Sequence, residues 1–186
     1  MITHRKNVGF SMIEILITIV ILMIGLLGLA GLQMKALNVQ MESYQRAQAL
    51  ILLKDMADRI NANRGNAASY ITTLNPAAAC PAAGATITST DLNQWCTALL
   101  GVAETQGAGN NVGAMIGARG CITQTAAPAS GVPTQYLVAV SWQGLNATAA
   151  PTLACGLGQY KDSTGAVNET WRRVIALPVN IGCLTC

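Results

Sequence analysis

Histidine occurs once in the 186 residues, at His4, and phenylalanine once, at Phe10. A single histidine, so close to the first residue, leaves no Ser-His-Asp triad, no Cys-His pair and no histidine-ligated metal site to build. Aromatic residues total 4%, too few for a stacking platform for bases. Charge is equally scarce: 11 Lys and Arg against 8 Asp and Glu, 10% of the chain in all. A net charge of +3 scattered over this length is no electrostatic footprint for DNA or RNA, so no nucleic-acid partner is expected. Gly107-Ala108-Gly109 lacks the full dinucleotide fingerprint, and no strong strand precedes it. The chain is therefore not read as an enzyme, and neither a cofactor nor a metal is expected.

Apolar residues, by contrast, make up 52% of the chain and are concentrated near its start. Residues 15–32, ILITIVILMIGLLGLAGL, carry no charge and are long enough to cross a bilayer as a helix. Arg5 and Lys6 precede this run and no acid accompanies them, so the positive-inside rule keeps the N-terminus in the cytoplasm. All six cysteines, Cys80, Cys96, Cys121, Cys155, Cys183 and Cys186, follow the run, as disulfides in an oxidising compartment would. An ordinary secretory signal cleaved near Gly28-Leu29-Ala30 is the rival reading. Two features oppose it. The run exceeds a usual signal core, and Glu14 stands at its front, where a lone carboxylate costs roughly 2.5–3.5 kcal/mol to insert. A buried carboxylate needs a cation or must neutralise. The span offers no Lys or Arg, and the one cation able to reach that depth is an α-amino group made by cleavage beside it. On a helix, Phe10 and Glu14 would stand at i and i+4.

Gly9-Phe10-Ser11-Met12-Ile13-Glu14, followed by the apolar run, resembles the class III signal of type IV pilins and type II secretion pseudopilins. The resemblance implies that a prepilin peptidase cuts after Gly9 and that the new N-terminal residue, Phe10, is methylated. It implies that Glu14 pairs with the N-terminal amine of a neighbouring subunit during assembly. Ile24-Gly25-Leu26-Leu27-Gly28-Leu29-Ala30-Gly31-Leu32-Gln33, Ser141-Trp142-Gln143-Gly144 and Trp171-Arg172-Arg173-Val174 are similar to segments of the PilV family of minor pilins, the type IV pilus modification proteins. That likeness implies a low-abundance subunit that starts pilus assembly with other minor and major pilins at the tip.

The helix is expected to continue beyond the membrane. Met34, Leu37, Met41 and Tyr44, then Leu52, Met56 and Ile60, extend an apolar stripe, with Glu42–Arg46 and Asp55–Arg59 as i,i+4 pairs on the polar side. Gly65 is a plausible stop, giving about 54 helical residues, or ~80 Å. Gly25, Gly28 and Gly31 suit close helix packing or a softened segment, each costing about 1 kcal/mol of helix propensity relative to Ala. Beyond Gly65, residues 65–90 and 101–133 read mostly as loops. A short helix capped by Ser89 or Thr90 is expected to run to Leu100. Strands are expected around Cys121-Ile122-Thr123, over 135–142 and over 170–181, with Pro178 marking an edge or a break in the last.

The expected fold is α+β: one long N-terminal helix, membrane-spanning in its front half, packed by its back half on a small, mostly antiparallel β-sheet. The expected divisions are 1–9 leader, 10–33 transmembrane and assembly helix, 34–64 amphipathic continuation, and 65–186 disulfide-stapled periplasmic head. The protein would sit in the bacterial inner membrane with a single pass, then enter the pilus. Proximity along the chain suggests the pairs Cys80–Cys96, Cys121–Cys155 and Cys183–Cys186. The last pair reads as a staple rather than a redox centre, because no helix follows to lower a thiol pKa. Arg172 and Arg173 alternate across a strand and are expected on a solvated face. A type II secretion pseudopilin is the alternative within the class, and a membrane-tethered adhesin or DNA receptor the alternative outside it.

Overall fold

A computed structural model of the chain describes residues 9–101, 105–106, 110–111, 113, 115–127 and 133–182. Helix α1 (Met12–Ala62) is followed by a 3₁₀ segment (Arg64–Tyr70), strand β1 (Thr72–Leu74), helix α2 (Ile87–Leu99), the short strands β2 (Thr105–Gln106) and β3 (Asn110–Asn111), and strands β4 (Ile116–Ala126), β5 (Thr134–Gln143) and β6 (Arg172–Ile181). By its internal contacts the chain forms two compact units, the first ending at Met41 and the second beginning at Glu42.

Within the first unit, every residue from 12 to 41 of α1 is exposed, including the whole apolar run. Met34, Leu37 and Met41 of the expected stripe are therefore exposed rather than buried. Burial on α1 starts at Gln45 and continues through Ala49, Leu53, Met56, Ala57 and Ile60, the three-and-four spacing of one helix face.

The second unit is built around a four-stranded antiparallel sheet in the order β1-β4-β5-β6; β2 and β3 form a separate two-stranded ladder. Alternation along β5 sends Tyr136, Val138, Val140 and Trp142 to the face covered by the helices. There they join Ala118 and Ile122 of β4, the buried stripe of α1, and Trp95 and Leu99 of α2. The opposite face carries a smaller cluster of Cys121, Ala139 and Cys155. β6 is an edge strand and accommodates Pro178 opposite Leu137.

Gly120 makes the main layer possible. A Cβ there would lie 2.4 Å from Cη2 of Trp95 and 2.8 Å from Cδ1 of Leu99, so only glycine lets α2 seat its indole on β4. Trp95 then donates Nε1–H to the Leu52 carbonyl of α1 at 2.9 Å. Arg59 joins the same two helices, bonding Asp55 at 2.9 Å, Asp91 at 2.8 Å and Gln94 at 2.6 Å.

Several local expectations need correction. The cap of α2 is Thr86, whose side chain accepts from Ser89 N–H, rather than Ser89 or Thr90. Within 65–90 the chain also holds the 3₁₀ turns and β1, and Ile116–Ala126 is a full strand within the second region expected as loop. The final strand begins at Arg172 because Asn168 turns Glu169–Trp171 into a 3₁₀ turn by accepting from Thr170 N–H.

Candidate processing and assembly site

Ser11 starts α1. Its carbonyl accepts from Glu14 N–H at 3.0 Å and from Ile15 N–H at 3.3 Å, the first bonds of the helical ladder. Gly9 and Phe10 lie before the helix and are exposed, Phe10 at 81%. Phe10 is thus outside the helix, so the expected i,i+4 helical relation to Glu14 is absent: Ser11 already occupies the cap. Glu14 stands in the first turn, where the helix dipole favours a carboxylate, and no cation among the described residues lies within ion-pair distance. A Cβ at Gly9, Gly25, Gly28 or Gly31 would meet nothing within 4 Å among the described residues, so these glycines answer no contact there. Arg5 and Lys6 lie outside the described residues.

The head adds two arginine anchors that the sequence reading did not find. Arg173, on the helix-facing side of β6, donates to the Glu42 carboxylate at 3.1 Å, the Asn146 carbonyl at 2.6 Å and the Thr170 carbonyl at 3.1 Å. Glu42 also accepts from Leu145 N–H at 3.1 Å and Asn146 N–H at 3.3 Å. Glu42 therefore pairs with Arg173 and not with Arg46, because the clamp meets more of its oxygen's bonding capacity than a surface pair could. Gly144 leaves room for it: a Cβ there would be 2.6 Å from Cζ of Arg173.

Arg172 faces the opposite way and is 1% exposed. Its guanidinium holds the Glu169 carboxylate and the carbonyls of Pro151, Leu153 and Cys155. Neither arginine is on a solvated face, contrary to expectation. Burial pushes the Glu169 carboxyl up, but the Gly158 N–H and Arg172 outweigh it and hold the group below its ordinary range. The signal that could have found this anchor was Glu169, three residues before Arg172 at a strand start.

Two disulfides staple this head. Cys80–Cys96 ties the segment before α2 to that helix, and Cys121–Cys155 ties β4 to the β5–β6 connection. Both are the pairs that chain proximity suggested; Cys183 and Cys186 lie outside the described residues. Among the described residues, no group of three or more His, Cys, Asp or Glu is placed to hold a metal ion.

A long N-terminal helix, apolar and exposed over its front part and packed on a four-stranded antiparallel sheet by its back, is a pilin-like α+β architecture. The family comparison agrees. Residues 5–30 match the prokaryotic N-terminal methylation motif, and residues 31–100 match the type IV pilin Tt1218 family. The two matches support a type IV pilin-like family, a family of structural subunits. Its motif and apolar helix fit membrane anchoring and a place in a pilus. No curated protein and no solved structure gives a significant match.

Proposed function

We propose that the chain is a minor pilin that helps to initiate and modify type IV pilus assembly, in a complex at the tip. The observation that carries this reading is the placement of Gly9-Phe10-Ser11-Met12-Ile13-Glu14 directly before the charge-free run 15–32, in a helix whose residues 12–41 are all exposed. Such a surface of apolar side chains requires lipid or other helices around it.

The steps follow from that placement. Arg5 and Lys6 hold the leader on the cytoplasmic side of the inner membrane, and the head lies in the periplasm. Prepilin peptidase cuts between Gly9 and Phe10, and the new amine is methylated. Glu14, with no cation in ion-pair distance among the described residues, takes the amine of Phe10 on an adjacent minor or major pilin, which fixes the axial register of the two helices. The apolar helix exchanges lipid contacts for contacts in the bundle as the subunit leaves the membrane.

The test is a strain lacking this chain, complemented with wild type or with Glu14→Ala. The expected result is a loss of most surface pili, restored by wild type and not by Glu14→Ala, with the chain far below the major subunit in sheared pili. Normal piliation without the chain, together with lost ligand binding, would instead support a tethered adhesin or receptor. Normal piliation with failed protein secretion would support a pseudopilin.

A further inference from the structure

On the sheet face away from the helices, a cleft of about 310 Å³ opens between the β1–β4 ladder and the connection 154–159. Thr73, Arg119, Cys121, Thr123, Cys155 and Gln159 line it, and the Cys121–Cys155 disulfide fixes the connection against its floor. The register explains the convergence: Thr73 pairs with Cys121, and Arg119 and Thr123 flank Cys121 at alternate positions on the same strand face. The cleft is therefore rigid and crosslinked.

Arg119 is the unusual member. Arg59, Arg172 and Arg173, the other arginines at least half-buried in the head, each hold a carboxylate. Arg119 is half-buried too, yet among the described residues no carboxylate lies within ion-pair distance and no acceptor takes its N–H groups. A guanidinium that has lost part of its hydration without gaining an acceptor is poised for one. The side chains of Thr73, Thr123 and Gln159 likewise make no hydrogen bond within the described residues. The site thus offers one cationic fork and three neutral hydrogen-bonding groups, with no aromatic ring in the lining. The fork matches a carboxylate in a bidentate arrangement. The neutral groups match hydroxyls. The volume falls at the small end of ligand pockets, roughly 300–1,000 Å³, and suits one ring.

We propose that this cleft binds a sugar acid, a monosaccharide bearing a carboxylate, with Arg119 on the carboxylate and Thr73, Thr123 and Gln159 on the hydroxyls. The test is titration calorimetry of the full-length protein in detergent micelles with three probes: galacturonate, galactose and acetate. Galacturonate should bind saturably, and galactose and acetate should each bind about tenfold or more weakly, since each lacks half of the recognised groups. Arg119→Gln should weaken galacturonate by about tenfold or more. If that variant misfolds, Thr123→Val, which leaves the arginine in place, should still weaken galacturonate several-fold. No saturable binding of galacturonate overturns the proposal. So does galactose binding equally well, which would mean the carboxylate is not read, or acetate binding equally well, which would mean a plain anion site. Unchanged binding by Arg119→Gln overturns it as well.

Discussion

Arg172 is buried and holds one carboxylate and three carbonyls, so its removal should be among the most damaging single changes in the head. Arg172→Leu leaves Glu169 without its cation and the three carbonyls without that donor, and should lower stability by roughly 3–5 kcal/mol, measured by chemical denaturation in detergent. Glu169 gives the same anchor a pH dependence. Its folded-state pKa is depressed below the ordinary 4.5, so its contribution is fully present above that value and is lost as pH falls through the lower folded value. The melting temperature should therefore drop on acidification below about pH 4.5, and Glu169→Gln should flatten that drop. The anchor escaped sequence reading because alternation assigns Arg172 and Arg173 to opposite faces without saying that both faces are covered. Arg173's acid, Glu42, lies 131 residues away, a separation no local pattern can reveal. The disulfides Cys80–Cys96 and Cys121–Cys155 were legible because near neighbours in sequence close the shortest loops.

At the scale of elements, the clamp from Glu42 to β6 and the preceding connection secures the first turn of the second unit. Glu42→Ala removes one charged acceptor from Arg173, Leu145 N–H and Asn146 N–H, and should cost roughly 1.5–3 kcal/mol. Hydrogen exchange should show faster amide exchange at Leu145 and Asn146, with α2 unaffected. The packing of α2 on β4 gives a separate test. Gly120→Ala places a methyl against the Trp95 ring and should destabilise by roughly 1–3 kcal/mol, read in the melting transition together with a shift in tryptophan fluorescence. Elements with long, regular patterns were legible: α1 from its apolar run and stripe, β5 from a β-rich octet, and β6 as an edge from Pro178. The 3₁₀ segment and the three-residue β1 were not, because neither is long enough to establish a period. β4 was recognised only around Cys121, since its glycine, threonine and arginine weaken the strand signal that its place between two partners overrides.

For the whole molecule, one sequence serves two solvents. The second unit buries a conventional core, whereas the first exposes apolar side chains from Met12 to Met41, and the single acid of that stretch has no ion pair among the described residues. That division, rather than any pocket, points to assembly through the helix, and it depends on where the mature chain begins. Mass spectrometry of the N-terminal peptide, from cells with and without prepilin peptidase, tests this most directly. A peptide beginning at N-methylated Phe10, present only with the enzyme, is the predicted result. A mature chain beginning near Gly31, independent of that enzyme, would contradict the account, because Glu14 and the apolar front part of α1 would be gone from the mature protein.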